Sequence, residues 1–385
     1  MPAATPDSTA ATQQSFARLL AVEPVLSRIA PLADLADLPS GPALFHAGPP
    51  FADPADLPAP VANSVAAAAM HEGLAADAAD ALRAVAAGRI ALMPAQDIGL
   101  VTPLTFVAGA GMYCLEVSDA AGSGLRRLSP LNDGPLPDAL RLGTGRPAGL
   151  ALLRQLTDGI GPDLARALAA PLPLLPLAAR ALAGGDELHG RLNAAQAEVP
   201  GFFDSSLSAE SAAYLQQANQ FVLNVVMAMA ALMIGAGAGV PGSTMVTACG
   251  GNGRDLGWKL AGAPQDWITR PAMPPVGTMM QQGATALPAI GDSAVIDALG
   301  LGAACLRFAP ELAGPLADHI DPAFLTATAH DAYIGAHPAL PLDGLRLGLD
   351  LTRKRACLGI MLGMVGANGT EGLVGRGVAP WPADA

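Results

Sequence analysis

The chain contains 385 residues, of which 51% are hydrophobic and only 14% are charged, a composition that allows two or three domains with an apolar core and excludes intrinsic disorder. Its 33 acidic and 21 basic side chains argue against nucleic-acid binding, because contacts with phosphates need a basic face. Only two lysines occur, Lys259 and Lys354, so an anion site must depend on arginine, backbone N–H groups or helix ends.

The first third of the chain predicts a mixed α/β domain over residues 1–135. Apolar residues recur at helical spacing over 15–30, and glycine and proline punctuate the segments beyond it. These segments predict a strand within 44–50 that ends in a glycine–proline loop, an alanine-rich helical pair at 61–88, and strands at 90–93 and 106–117. A turn-rich connection over 120–140 is the expected domain boundary.

A mostly helical middle domain is predicted over residues 136–240. Within it, residues 221–240 form an apolar run that is long enough to cross a membrane, with Asn224 as its only polar side chain. The flanks carry no excess of Lys or Arg and no aromatic belt, and the run ends in a Val-Pro-Gly turn. We therefore expect a buried helix, at the centre of the fold or at a subunit interface, and no membrane association.

The last part of the chain, residues 241–385, predicts a third domain of short strands and loops bounded by glycines. No internal repeat and no coiled-coil heptad occurs along the chain. The expected fold class is therefore α+β, with two mixed α/β domains and a mostly helical domain between them.

A glycine-rich segment over 243–262 is the most informative stretch for function. An apolar run enters Gly250, Gly251, Asn252 and Gly253, and Arg254 follows. Glycines allow successive backbone N–H groups to converge on an anion, and Arg254 adds a permanent cation. The spacing matches neither a P-loop nor a dinucleotide fingerprint. It is therefore also compatible with a tight turn between strands.

A second candidate is the segment that contains Gly291, Asp292 and Ser293, which precedes a predicted apolar helix over 295–308. Asp292 or Ser293 is a natural N-cap for that helix. A helix N-terminus also offers free N–H groups to an anion, so a binding role stays open.

Three polar residues after Gly185 form a third candidate. Asp186, His189 and Asn193 fall at i, i+3 and i+7, which places them on one face of a helix. A carboxylate next to an imidazole orients it, as either acid–base catalysis or a buried polar network requires. His46, beside Gly48 in the loop after the first strand, is a further candidate for a site-lining residue.

The sequence gives no indication of a metal, a cofactor or a secretory signal. Its cysteines are far apart and form no CxxC or Cys/His cluster, so we expect buried reduced thiols. The N-terminus lacks the basic and apolar regions of a signal peptide, which favours a cytoplasmic protein. Neither a GxSxG elbow nor the Ser-Thr-Arg-Thr signature of transcarbamylases occurs.

Several motifs together resemble one known family, the domain-of-unknown-function family 1116, also called YlbE-like. The resemblance runs in order over roughly residues 20 to 382. One member of that family is a subunit of oxamate carbamoyltransferase and works beside an FdrA-like protein. The matching stretches are FHAGPP (45–50), HEGLA (71–75), GDELHGRLNAA (185–195), STMVTACGGNG (243–253), PAIGDSAVIDALGLGA (288–303) and GRGVAPWP (375–382).

The resemblance implies transfer of a carbamoyl group from carbamoyl phosphate to the amide nitrogen of an oxamate-like acceptor, or the reverse reaction, in a homo- or hetero-oligomer. By motif it carries over His46, Gly48, Asp186, His189, Asn193, Asn252, Gly253, Gly291, Asp292 and Ser293. We interpret His189 as the base, oriented by Asp186, and Asn193 or Asn252 as the donor to the carbonyl group. The Gly250–Arg254 loop and the bend at Asp292 and Ser293 are expected to hold the anion in one shared cavity.

The chain also departs from the family pattern. A family His-Glu-His stretch is here Gln96-Asp97-Ile98, and Arg-Asn-Gly is here Gly251-Asn252-Gly253, with Arg254 as a candidate replacement for the arginine. A family His-Lys pair near the C-terminus has no clear equivalent. Either the substrate differs or a partner subunit completes the site. The competing hypothesis is a non-catalytic binding or scaffold subunit of an FdrA-like complex.

Overall fold

The computed structural model describes residues 6–134, 137–340 and 342–382. The α-helices within these ranges are α1 (Pro6–Leu20), α2 (Leu32–Leu35), α3 (Ala59–His71), α4 (Ala78–Ala86), α5 (Pro147–Gln155), α6 (Gly161–Ala167), α7 (Leu174–Ala183), α8 (Asn193–Gln196), α9 (Ala209–Gln217), α10 (Phe221–Gly235), α11 (Ala294–Leu299) and α12 (Pro310–Leu316). A π-helix joins α5 to α6 over Leu156–Ile160. Short 3-10 helices occupy Ala95–Ile98, Leu140–Leu142, Val199–Phe202, Gly302–Phe308, Pro322–Leu325 and Ala327–His330.

The strands are mostly antiparallel and form several small sheets. They are β1 (Pro24–Pro31), β2 (Ala43–His46), β3 (Ala91–Pro94), β4 (Tyr113–Asp119), β5 (Arg126–Pro130), β6 (Leu172–Pro173), β7 (Val246–Asn252), β8 (Asp255–Leu260), β9 (Ala263–Pro271), β10 (Val276–Met279), β11 (Ile290–Gly291), β12 (Tyr333–Gly335), β13 (Leu347–Leu349), β14 (Gly359–Val365) and β15 (Leu373–Pro380). The sheet orders are β5-β4-β1-β6, β11-β7-β8-β9 and β10-β15-β14, with the pairs β12-β13 and β2-β3. Only β2 and β3 pair in parallel among these strands.

Two N-terminal elements differ from the sequence prediction. The helix predicted over 15–30 ends at Leu20, and Pro24–Pro31 is a strand whose apolar side chains pack in the core. The strand predicted from 106 begins only at Tyr113. The backbone before it turns around Glu72, whose carboxylate accepts from the N–H of Gly111 at 3.0 and 3.1 Å. Pro24 at the start of the strand, and the contact between Glu72 and Gly111 from distant parts of the sequence, therefore override the apolar pattern in these two places.

The apolar helix α10 lies at the centre of the larger hydrophobic core, as predicted. All of its residues from Phe221 to Gly235 are buried, and it contacts β4, β5, β7 and α11. Its one polar side chain, Asn224, donates to the carbonyl of Pro130 at 2.9 Å and bonds to Ser129 and Asn132. A helix that is apolar on every side is stable in this position because every face meets protein.

None of the helices in the described ranges is, by itself, both long and apolar enough to cross a membrane. The helices α9 and α10 reach that length and composition only as a pair, and they are bent by 76° at the break between them.

Two segments that the sequence predicted as helical are irregular. Residues 184–192, between α7 and α8, form turns and bends. The helix predicted over 295–308 stops at Leu299, because Gly300 adopts φ +117° and a 3-10 helix begins at Gly302. Both changes matter for the candidate site described below.

The expected α+β class is confirmed, with helices and separate sheets along the whole described chain. The apolar side chains form one large core around α10 and a smaller core around α3, β2 and β3. The predicted boundary at 135–136 falls on residues outside the described ranges. The division into three domains therefore stays a prediction.

Candidate active site

A cavity of about 470 Å³ opens between the 189–193 turn, the start of α11 and strands β14 and β15. Its size is within the range of small-molecule sites, about 300–1,000 Å³. Apolar side chains from α10, α12 and β14 form part of the wall. Its polar lining includes Arg141, His189, Arg191, Asn193, Gln217, Asn219, Gln220, Ser293, Glu311 and Arg376.

His189 lines this cavity, and its ring bonds to the buried carboxylate of Asp297. Nδ1 of His189 lies 2.8 Å from Oδ2 of Asp297, and both side chains are buried. The other oxygen, Oδ1, accepts from the backbone N–H of Ala303 at 2.8 Å and of Met361 at 3.1 Å. Because the carboxylate accepts from Nδ1, the proton stays on Nδ1 and the lone pair stays on Nε2. An imidazole held in this way can accept a proton at Nε2.

The prediction that Asp186 orients His189 is wrong. Asp186 instead accepts from Nη1 of Arg191 at 2.8 Å and from the N–H of Ala195 at 2.9 Å. Burial raises the pKa of Asp186, and these two partners oppose the shift. The carboxylate therefore stabilises the first turn of α8 through the N–H of Ala195 and fixes the side chain of Arg191.

The expected helix face for Asp186, His189 and Asn193 is absent because the chain turns before His189. The buried carboxylate of Glu187 accepts from the backbone N–H groups of His189 at 3.3 Å, Gly190 and Arg191 at 2.8 Å. Between them Leu188 adopts φ +71°, an uncommon conformation for a residue with a side chain. This turn points His189 to the cavity, with the exposed Asn193 at the rim.

Three arginines line the cavity and differ in their counter-ions. Arg141 forms a buried ion pair with Asp133, and Arg191 is shared between Asp186 and Glu311. Arg376, in β15, has no acidic partner among the described residues. It is therefore the cation best placed to receive an anionic ligand.

Ser293 also lines the cavity, near a second residue with strained backbone, Leu104. Its hydroxyl has no hydrogen-bond partner among the described residues. The predicted N-cap bond from Ser293 to α11 is therefore not formed, although Ser293 stands at the N-cap position. Leu104 adopts φ +46°, and a Cβ on the adjacent Gly291 would come within 2.7 Å of its nitrogen. Leu104 lines the cavity, and Leu188 directly precedes the lining residue His189. Strained backbone of this kind is typical of functional sites.

The two glycine-bounded bends are adjacent in space, as expected, but they are packed together. Gly251 pairs with Gly291 between β7 and β11. A Cβ at Gly251 would lie 2.2 Å from the carbonyl oxygen of Ala289, and one at Gly48 would lie 2.4 Å from the carbonyl carbon of Gly251. The glycines thus permit close backbone contact and leave no cleft between the bends. This placement does not support an anion-binding nest at Gly251, Asn252 and Gly253.

The buried carboxylate of Asp292 bonds to neighbouring segments around these bends and does not cap α11. Oδ1 accepts from the N–H of Gly48 at 2.9 Å and from Nε2 of Gln96 at 2.6 Å. Oδ2 accepts from the N–H of Thr102 at 2.9 Å and from its hydroxyl at 3.3 Å. Burial raises the pKa of Asp292 to about 7, and the four donors limit the shift. The side chain is a buried connection between three segments.

Asn252 and Arg254 have structural partners as well. Oδ1 of Asn252 accepts from the N–H groups of Arg254 at 3.0 Å and Asp255 at 2.8 Å, which stabilises the turn between β7 and β8. Arg254 is exposed and bonds to the exposed Asp56 at 2.5 Å. Neither residue lines the cavity.

His46 ends β2 as predicted, but it is buried away from the cavity. Its Nδ1 lies 2.7 Å from the carbonyl oxygen of Ala47, and its ring packs on Phe51 with the ring centroids 4.7 Å apart. Its Nε2 has no hydrogen-bond partner in the part of the chain that the structure describes. Burial lowers the pKa of His46 to about 4, with the Ala47 contact and Asp97 opposing the shift. The folded protein therefore holds this imidazole neutral.

This neutral histidine predicts a loss of stability in acid. Because the folded pKa of about 4 lies below the ordinary value of 6.5, the free energy of unfolding should fall as the pH drops from 6.5 to 4. His46→Phe keeps the ring contact and should remove about 3 kcal/mol of that fall, measured by urea unfolding at pH 7 and pH 4. His319→Phe, at an exposed position, is the control. Equal pH dependence in the wild type and His46→Phe would contradict this assignment.

Of the residues singled out in the sequence, His189, Asn193 and Ser293 line the cavity. Those outside it are His46, Gly48, Asp186, Gly251, Asn252, Gly253, Arg254, Gly291 and Asp292. The sequence reasoning missed Asp297, Arg141, Arg191 and Arg376. Asp297 could have been found from the sequence, because it is the only charged residue between 293 and 306. It also falls four residues after Ser293, which places both residues on one face of a helix.

The cavity of this mixed α+β fold brings a buried His–Asp pair together with arginine side chains. The chain belongs to the family of the oxamate carbamoyltransferase subunit AllG, whose model matches residues 90–293, more than half of its length. The match includes His189 and Ser293 and ends just before Asp297.

Two curated relatives and one solved structure are similar to the chain. The oxamate carbamoyltransferase subunit AllG of Escherichia coli K12 is 29% identical over 290 residues, 72% of this chain and 68% of the relative. The uncharacterized protein YahG of the same organism is 26% identical over 364 residues, 89% of this chain and 76% of the relative. A conserved protein of unknown function from Enterococcus faecalis V583 has a crystal structure with a TM-score of 0.88 at 24% identity, covering 99% of this chain and 97% of the other. This last similarity shows the fold alone.

Proposed function

We propose that the chain is a subunit of a carbamoyltransferase and that the cavity at His189 is its active site. The reaction is transfer of a carbamoyl group from carbamoyl phosphate to the amide nitrogen of an oxamate-like acceptor, which yields an oxalurate-like ureido acid and phosphate, or the reverse. The family membership supports the reaction class. The observation that carries the assignment of the site is the His189–Asp297 pair at 2.8 Å, which leaves Nε2 without a partner among the described residues at a cavity wall.

The proposed chemistry requires one proton acceptor and no covalent bond to the protein. The amide nitrogen of the acceptor attacks the carbonyl carbon of carbamoyl phosphate and forms the new C–N bond. Nε2 of His189 takes the proton from that nitrogen, and Asp297 stabilises the resulting imidazolium. The bond between the carbonyl carbon and the bridging oxygen then breaks, and its electron pair leaves on that oxygen as phosphate. The hydroxyl of Ser293 is a donor for the carbonyl oxygen as negative charge develops on it.

The arginines account for the charge of the substrates. Carbamoyl phosphate and oxamate are both anions, and the unpaired Arg376 offers a forked donor set to a phosphate or carboxylate. Arg141 and Arg191 are already fixed by acidic partners, so they add donors with little loss of conformational freedom. In this proposal they orient the substrates, and Arg376 supplies most of the attraction.

We infer that the subunit works in a complex, and that its partner is the FdrA-like protein implied by the motifs of the YlbE-like family 1116. The name of the relative from Escherichia coli, an oxamate carbamoyltransferase subunit, supports a multi-subunit enzyme. Gln96-Asp97-Ile98, which stands in place of the family His-Glu-His stretch, supports it too, because a partner can supply groups that this chain lacks.

Co-expression with an FdrA-like partner tests the function. We expect formation of ureido acid and release of phosphate in equal amounts when carbamoyl phosphate and oxamate are supplied to the complex. Each component is also assayed alone. If the complex with an inactivated cavity, carrying His189→Gln, kept full turnover, the chain would instead be the non-catalytic scaffold subunit.

The unpaired arginine gives a second prediction for this site. Arg376→Gln should raise KM for carbamoyl phosphate or for the acceptor by about 10- to 100-fold, because a hydrogen bond to a charged group is worth about 1.5–3 kcal/mol. Steady-state kinetics of the complex measure the change. Arg83→Gln, at a largely exposed position on α4, is the control and should leave KM unchanged. Unaltered KM for both substrates in Arg376→Gln would remove Arg376 from the site.

A further inference from the structure

A second cavity, of about 640 Å³, lies on another part of the molecule, between β5, the end of α10 and strand β8. None of its lining residues belongs to the cavity at His189. Its wall carries three cationic side chains, Arg126, Arg127 and Lys259. We propose that this second cavity is a binding site for a small molecule that carries a phosphate group. The proposal does not depend on the carbamoyltransferase activity.

Arg127 is a half-buried cation that no acidic side chain neutralises among the described residues. Its Nη1 donates to the carbonyl of Arg126 at 2.8 Å. Its Nη2 lies against Gly235, the last residue of α10, where a Cβ would come within 2.6 Å. The helix C-terminus offers only about half a negative charge. An anion in the cavity would pair with this uncompensated charge.

Partial burial of the guanidinium lowers the pKa of Arg127. A bound anion would reverse this effect by favouring the charged form. Gly235 has a clear role in this arrangement, since any side chain there would displace the guanidinium from the cavity wall.

The same cavity presents a second cation in a fixed position, Lys259. Lys259 is buried in β8, and its Nζ lies 2.7 Å from Oδ1 of Asp97 and 4.9 Å from the ring of Trp267. The indole N–H of Trp267 donates to the same carboxylate oxygen at 3.0 Å. This network holds the ammonium group in place before any ligand arrives, which lowers the entropic cost of binding.

The balance of charge and the shape of the cavity agree with a phosphate ester. The three cations exceed the two acidic side chains in the wall, Asp37 and Asp97. Thr247 adds a hydroxyl group, and Gln265 adds an amide. The volume of about 640 Å³ exceeds that of a phosphate group alone, so the remaining space accommodates the rest of the ligand.

Calorimetric titration of the full chain with inorganic phosphate at low ionic strength tests the site. The titration uses the Arg376→Gln protein, so that the first cavity contributes little. We expect phosphate binding in this protein and at least a tenfold weaker affinity when Arg127→Gln is added. Arg270→Gln is the matched control, because Arg270 is exposed, donates to its preceding carbonyl at 2.8 Å and lies outside both cavities.

Absence of phosphate binding to the Arg376→Gln protein would overturn the proposal. Equal affinity in the Arg127→Gln and Arg270→Gln proteins would overturn it as well. If Arg127→Gln did not fold, as judged by circular dichroism, Arg126→Gln would take its place, since Arg126 is exposed on the same wall. Its expected affinity loss is at least threefold, and an unchanged affinity would contradict the site.

Discussion

Replacing His189 with glutamine should lower the turnover of the assembled carbamoyltransferase by about 10²–10⁴-fold, with little change in stability. Removal of a positioned general base has an effect of this size. Glutamine is polar and close in size to histidine, so the turn held by Glu187 should persist, since that carboxylate binds backbone N–H groups. Turnover is measured as ureido acid formed at saturating substrate. His319→Gln, at an exposed position, is the control.

Asp297→Asn separates a base mechanism from a packing effect. The asparagine Oδ1 can keep the bonds from the N–H groups of Ala303 and Met361, so the local fold should be retained. Its amide N–H then faces Nδ1 of His189 and forces the proton onto Nε2, which removes the base. We expect a loss similar to that of His189→Gln, and no further loss in the double variant. Additive losses in the double variant would contradict this pairing.

The second large effect is on stability, at the contact between Gly251 in β7 and the backbone at Ala289. Gly251→Ala should lower the free energy of unfolding by about 3 kcal/mol or more, because its Cβ would lie 2.2 Å from the backbone oxygen of Ala289. Urea unfolding gives the value. Gly159→Ala is the matched control, since no atom lies within 4 Å of the added Cβ and no positive φ is involved.

This stability prediction also tests our view of the glycine-rich segment. A Gly251→Ala protein that folds with normal stability but no longer binds substrate would favour the anion-binding nest over close packing. Loss of stability in Gly251→Ala, with Gly159→Ala unchanged or slightly more stable, is the result that the contact predicts.

The sequence was most informative where local chemistry and tertiary packing agree. Helix α10 was predictable because an apolar run without flanking charge is stable only when it is buried. The helical pair α3 and α4 was predictable from alanine content and the break at Gly73. In both cases the residues within the segment itself determine its secondary structure.

The candidate site was less predictable because its parts come together only in the folded chain. Asp297 lies in an apolar run that predicts a buried helix, and its partner His189 is 108 residues away in the sequence. Arg376 lies in an ordinary strand pattern near the C-terminus. The spacing of Asp186 and His189 suggested a helix, but Glu187 binds three backbone N–H groups and turns the chain instead.

The glycine motifs illustrate an ambiguity of the residue itself. Glycine permits an anion to approach the backbone, and it equally permits another backbone to approach. At Gly48, Gly250 and Gly251 the neighbour is protein, with added Cβ atoms only 2.2–2.4 Å from other atoms. Sequence spacing alone cannot distinguish these two outcomes.

A crystal structure of the chain with bound oxalurate would test the central claim most directly. We expect density for the ligand in the cavity of about 470 Å³. Its ureido nitrogen should lie within hydrogen-bond distance of Nε2 of His189, and its carboxylate or carbonyl groups should lie at Arg376 and Ser293. Density confined to a different part of the molecule, with His189 and Arg376 untouched, would contradict it.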